Sequence, residues 1–267
     1  MNGNILLAFG LTALAGLSTG IGSVIAFCAK KTNTKFLAVS LGFSAGVMIY
    51  VSMIEIFSKA QASLTSALGV KSGAIATVAA FFAGMLLIGV IDRLIPQKDN
   101  PHEFNKSVEQ VPQSANKSRL MRSGTLTALA IAIHNFPEGL ATFISALQEP
   151  SLAIPIVVAI AIHNIPEGIA VSIPIYYATG DRKKAFLWSF ASGMSEPVGA
   201  VLGYLVLMRI MNDVVYGLLF AGVAGIMVFI SLDELLPSAR EYGEHHLSIY
   251  GLVAGMVVMA VSLVMFL

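Results

Sequence analysis

Long apolar runs alternate with short polar stretches along the whole of this 267-residue chain. A hydrocarbon core roughly 30 Å thick needs about 20 helical residues to cross it. Eight runs meet that length, near 4–29, 36–57, 73–95, 120–147, 152–178, 185–208, 214–236 and 247–267. Within lipid each backbone N–H and C=O must be satisfied inside its own segment, which selects helices, and the alternating pattern of a membrane barrel strand is absent. The pattern therefore predicts an all-α, polytopic membrane protein, eight transmembrane helices in one bundle forming a single domain over 1–267. The first run is too long for the apolar stretch of a signal peptide and lacks a basic start, so it reads as a retained span. One connection, 96–119, is long and rich in Pro, Asn, Gln, Ser and Lys, and reads as a solvent loop.

Composition sharpens this picture. Hydrophobic residues make up 56% of the chain and charged residues 12%, against about 25% charged in an ordinary soluble domain. The lipid bilayer is therefore the surrounding partner, and a net charge of +1 gives no pull toward nucleic acid. A single cysteine, Cys28, excludes an internal disulfide and a thiolate metal cage. With the N-terminus outside, 13 of the 16 Lys and Arg fall in cytoplasmic segments and only Lys59, Lys71 and Arg209 outside. By the positive-inside rule both termini face outward and the 96–119 loop faces the cytoplasm.

The chemistry concentrates in an internal near-repeat. Residues 130–141 read AIAIHNFPEGLA and residues 159–170 read AIAIHNIPEGIA, identical at ten of twelve positions and offset by 29. Each copy falls near the middle of its span, the fourth and the fifth. A short turn near 148–151 would set the two spans antiparallel, with the copies facing each other. Helical spacing puts His134 and Asn135 on the face of Glu138, and His163 and Asn164 on the face of Glu167. Pro137 and Pro166 lack an N–H and free the carbonyls of Ile133 and Ile162. Interrupted helices at mid-membrane are where transporters place binding sites.

A third carboxylate, Glu196, lies mid-way along the sixth span, followed by Pro197. Three unpaired carboxylates at that depth would cost roughly 8–10 kcal/mol, and no Lys or Arg lies near the centre of any span. The missing partner is then a cation, because proton storage alone needs neither the histidines nor the asparagines. Mixed imidazole, amide and carboxylate ligands without thiolate suit several first-row divalent ions. His134, Glu138, His163 and Glu167 suffice for one site; Asn135, Asn164 and Glu196, with Glu138 and Glu167 shared, suffice for a second. Such ligands bind only when deprotonated, so affinity should fall in acid.

Lesser features flank this centre. Glu55, at the outward end of the second span, suits an entrance for cations or a solvated interfacial position. Asp233 and Glu234, near the inward end of the seventh, suit an exit or a helix terminus. The pairs Gly42–Gly46 and Gly199–Gly203 are spaced for close helix approach, within a moving bundle or at a homodimer contact. A zinc protease would carry HExxH, whose Glu is the general base. Here Asn135 and Asn164 stand at that position, which argues against an intramembrane metalloenzyme; a cation/proton exchanger exporting metal would use the same site.

HNFPEG in the fourth span and HNIPEG in the fifth resemble the signature helices of the ZIP (Zrt-, Irt-like) metal transporters, most closely the bacterial ZupT-like branch. The resemblance covers essentially the whole chain. It implies uptake of zinc, and often iron, manganese, cobalt or cadmium, toward the cytoplasm across a bacterial plasma membrane, with the ion as cargo and no cofactor. It also implies a binuclear centre whose ligands are His134, Asn135, Glu138, His163, Asn164, Glu167 and Glu196. Many family members carry a histidine-rich loop after the third span; this loop has only His102, so metal capture there is not expected.

Overall fold

The computed structural model describes residues 2–28, 34–94, 113–148, 150–207, 210–242 and 245–265. Most of the 96–119 loop, with His102, lies outside the described residues. Among them the secondary structure is helical, with no strand. Helix α1 (Asn2–Cys28) is followed by α2 (Thr34–Tyr50), which runs through a π-helical turn (Val51–Ile56) into α3 (Phe57–Leu68). Next come α4 (Val70–Leu94), α5 (Gln113–Gln148) and α6 (Pro150–Thr179). Helix α7 (Arg182–Gly193) breaks at Met194 and continues as α8 (Ser195–Leu202) into a second π-helical stretch (Gly203–Leu207). Helix α9 (Asp213–Ile230) passes through a third (Ser231–Leu235) into α10 (Leu236–Tyr242), and α11 (His245–Met265) completes the described chain.

Local chemistry explains the boundaries. Pro150 opens α6, where a missing N–H costs nothing. Gly180, at φ +71°, closes α6, and Asp181 then caps α7 by accepting from the N–H groups of Lys183 and Lys184 at 2.8 and 3.1 Å. Gly69, at φ +83°, separates α3 from α4, and the side chain of Asn212 caps α9 through Val215 N–H at 3.0 Å. The helices overrun the apolar segments read from sequence. Helix α5 begins at Gln113, so 113–119 of the expected loop is helical; hydrophobicity marks where lipid would end, whereas a helix continues into water until its backbone is capped. Helices α3 and α10 extend their rods in the same way.

Five stretches among the described residues are long and apolar enough to cross a membrane: Asn4–Phe27, Ala38–Leu68, Val70–Ile91, Asp213–Arg240 and His246–Val264. The chain is an all-α, multi-pass membrane protein. Its rods pack as two groups, α1, α5, α6 and α7–α8 in one and α2–α3, α4, α9–α10 and α11 in the other, meeting chiefly where α2 lies along α6. One apolar core, including Leu41, Met48, Phe81, Phe143, Ile169 and Phe220, runs across that seam.

Both glycine pairs singled out in the sequence are used inside the chain. A Cβ on Gly42 or Gly46 would strike the α11 backbone at Ser248 or Leu252, and one on Gly199 would strike the carbonyl of Phe136. Gly203 receives the side chain of Leu140. Gly46→Ala should therefore lower stability by about 1–3 kcal/mol through overpacking. Gly10→Ala, where a Cβ meets nothing within 4 Å, should be neutral or slightly stabilising. Thermal unfolding of the two variants in the same detergent reads the difference.

Candidate metal centre

The two copies of the repeat face each other across α5 and α6, and their side chains pair crosswise. His134 Nε2 lies 3.2 Å from Glu167 Oε2, and His163 Nε2 lies 3.1 Å from Glu138 Oε1. Each histidine thus meets the glutamate of the other copy, not the one four residues along its own helix. The reason is directional: i and i+4 side chains stand one above the other on one face, whereas antiparallel neighbours bring opposite ends of two such stacks together. The second contact is close but not aligned as a hydrogen bond. Both oxygens of Glu138 and both ring nitrogens of His163 are left without a hydrogen-bond partner.

Glu196 comes from the broken helix. Pro197 has no N–H to donate to Gly193. The rod turns at Met194, and Glu196 lands in the first turn of α8, where the helix N-terminus favours a negative charge. Asn164 donates through Nδ2 to Glu196 Oε1 and to the carbonyl of Ala15 in α1, the latter at 3.1 Å. Asn135 donates to the carbonyl of Ser192 at a long 3.5 Å. All seven residues expected at the centre are buried, each 0–1% exposed. No lysine or arginine is buried among the described residues.

The glycine that ends each HNxPEG motif has its own task. A Cβ on Gly139 would strike the backbone of Glu196, and one on Gly168 would strike the carbonyl of Thr19 in α1. Gly139 therefore lets α8 approach α5 closely enough to deliver Glu196, and Gly168 does the same for α1 against α6.

Sequence reasoning missed Ser44. Its hydroxyl, carried on α2, lies 3.2 Å from Glu167 Oε1 and 3.3 Å from the carbonyl of His163. A lone serine between glycines has no spacing that marks it as a partner of a residue 123 positions away; only the packing of α2 on α6 brings the two together.

The flanking acids divide. Glu55 sits on the first π-helical turn, where the N–H of Phe57 reaches back to the carbonyl of Ser52, and it lines a narrow cleft together with Glu138 and Thr142. Its carboxylate is paired with Lys59 at 2.9 Å. Asp233 and Glu234 share the third π-helical turn and are partly buried.

As placed, these side chains pair with one another. Among the described residues no three His, Cys, Asp or Glu side chains converge as a ready metal cage. The paired state still leaves acceptors without a hydrogen bond, namely Glu138 Oε2, Glu196 Oε2, Asn135 Oδ1 and Asn164 Oδ1, while Glu138 Oε1 has only the unaligned contact with His163.

A multi-pass helical bundle encloses these acids with no lysine or arginine buried among the described residues, and acids so placed in membrane helices mark ion pathways. The family model of the ZIP zinc transporter matches residues 92–263. Over 278 residues the chain is 64% identical to the zinc transporter ZupT of Clostridium perfringens, covering 99% of this chain and 97% of that one. It is 66% identical over 267 residues to the zinc transporter ZupT of Streptococcus mutans, with both chains covered in full. To the protein of that name from Lysinibacillus sphaericus it is 61% identical, with 99% of each covered. The chain belongs to the ZIP zinc transporter family, whose members are transporters and not enzymes, and the metalloenzyme reading falls away.

Asn164→Ala strips Glu196 Oε1 of its donor and takes one of two side-chain donors from the Ala15 carbonyl, which keeps the Ser18 hydroxyl, and should cost about 1–3 kcal/mol in metal-free protein. Asn135→Ala removes only the long bond to Ser192 and should cost less. Thermal unfolding in chelator, the two variants side by side, tests that order.

Proposed function

We propose that this protein takes up divalent transition-metal ions, zinc among them and also iron, manganese, cobalt or cadmium, into the cytoplasm. The observation that carries the reading is the set of unused acceptors at Glu138, Glu196, Asn135 and Asn164, with no lysine or arginine buried beside them among the described residues. Leaving a buried acceptor unmet costs about 1–3 kcal/mol, more when it is charged, and a divalent cation meets several at once. Relatives named zinc transporters support zinc as one cargo.

In this mechanism a hydrated ion enters along the cleft past Glu55. Near Glu138 it exchanges water for His134, Glu138, His163 and Glu167, and the second group, Asn135, Asn164 and Glu196, completes a two-ion centre through the shared glutamates. Each imidazole releases its present glutamate to bind metal, so the crosswise pairs act as a resting arrangement of the ligands. The group containing α1, α5, α6 and α7–α8 then rocks against the other, as alternating access requires. The ion departs past Glu234 and Asp233.

Eight spans follow if α5, α6 and α7–α8, which pack beside the five apolar stretches, also cross the bilayer. The positive-inside count then puts both termini outside a bacterial inner membrane. In a Cys28→Ser background, a cysteine replacing Lys71 should react with an impermeant maleimide on intact cells. One replacing Lys183 should react only after permeabilisation. The reverse pattern would invert the topology.

Purified protein in liposomes of controlled orientation tests the function itself. Wild type should take up zinc and other members of a panel of zinc, iron, manganese, cobalt and cadmium, and Glu138→Ala and Glu167→Ala, if folded, should reduce uptake to background. Unchanged uptake in both would rule out the buried centre as the ion path. Net flux only from the cytoplasmic face, driven by an opposing proton gradient, would favour the exporting exchanger.

A further inference from the structure

The cleft that leads toward Glu138 carries a lysine at its lining, and nothing in the chemistry of cation binding calls for one. Lys59 Nζ lies 2.9 Å from Glu55 Oε1, one helical turn away, with the two side chains 25% and 21% exposed. Both line the same cleft as Glu138 and Thr142. Beyond the pair, Glu138 has two carboxylate oxygens and Thr142 one hydroxyl without hydrogen-bond partners. The wall of the cleft is therefore a neutralised acid followed by a carboxylate that only the His163 imidazole approaches, at 3.1 Å, and a hydroxyl without a hydrogen-bond partner.

Resting on the uptake reading above, we propose that Lys59 is a specificity-determining residue for entry, a tethered counter-cation that holds Glu55 against monovalent ions and yields it to divalent ones. The ammonium is one turn from the carboxylate and always at hand, so a free sodium or potassium ion offers the same single charge without that proximity. A divalent ion brings twice the charge and displaces it. The π-helical turn contributes by geometry. Its wider ring shifts the register of everything beyond it by ~100° relative to an uninterrupted α-helix, and Glu55 and Lys59 follow from where that turn sets them. A bare Glu55 would attract divalent ions more strongly, but it would also collect the monovalent ions that outnumber them.

The test measures zinc uptake into liposomes by wild type, Lys59→Gln, Glu55→Gln, the double variant and Lys71→Gln, each at low and high KCl. Lys59→Gln should lower KM about three- to tenfold at low salt, with the change carried in KM and not in maximal rate. That gain should vanish at high KCl, whereas the wild-type KM should respond little to KCl. In the double variant both the gain and the KCl sensitivity should be absent, because Lys59 acts through Glu55. Lys71→Gln removes the same charge from the first turn of α4, away from the cleft, and should leave KM where it was. A wild-type KM and KCl response in Lys59→Gln would overturn the proposal while leaving uptake intact. An equal shift in Lys71→Gln would overturn it in favour of general surface charge. Absence of zinc uptake by wild type would instead remove the uptake reading, and this proposal with it.

Discussion

Three carboxylates, Glu138, Glu167 and Glu196, share an interior in which no lysine or arginine is buried among the described residues. Everything around them answers that constraint. Two imidazoles and a serine hydroxyl are turned onto the acids, one carboxamide meets Glu196, and a helix is broken so that Glu196 sits in a first turn. These partners reduce the cost of burial without removing it, since both oxygens of Glu138 and one of Glu196 have no hydrogen-bond partner. A protein that needed only to fold would have replaced such acids with apolar residues, which pack at no desolvation cost. Their retention makes sense when the remaining partner comes from outside and leaves again.

The HNxPEG repeat ties this chemistry to packing within six residues. Histidine, asparagine and glutamate supply the polar face, proline removes a backbone donor, and glycine clears the ground for the neighbouring helix. Because Gly139 touches the backbone of Glu196 itself, the motif in α5 sets the position of a candidate ligand it does not contain. Gly168 does the parallel work against Thr19 of α1, whose neighbour four residues earlier, Ala15, accepts from Asn164. Ligand spacing and interhelical spacing are thus one geometric problem, solved twice in the chain.

What could be read before folding follows from this. The shared faces of the six repeat residues were legible because helical spacing, repeated in two adjacent segments, is a property of local sequence; Glu196 stood out as an acid mid-way along an apolar run, and the rods themselves were legible from length and hydropathy. Ser44 was not, because its role exists only where α2 crosses α6. The crosswise pairing of the histidines was not, because spacing along one helix points each to its own glutamate. Nor were the π-helical turns at Glu55 and at Asp233 and Glu234, since an extra residue in a helical ring leaves no compositional trace. Helix ends were misjudged for a different reason: hydropathy reports the solvent around a segment, and α5 extends through a change of solvent without a change of conformation.

Most polar contacts of the centre lie inside one group, joining α1, α5, α6, α7 and α8. The bonds of Ser44 to Glu167 and to the carbonyl of His163 cross to the other. Any motion of one group past the other must break or exchange those bonds, and Glu167 is the acid that is also a candidate metal ligand. On the proposed uptake reading, a cation drawing on Glu167 would compete with the serine for the same carboxylate, and filling the centre would weaken a polar link between the groups. On that reading occupancy and movement would be coupled through one shared carboxylate, with no separate signalling element required.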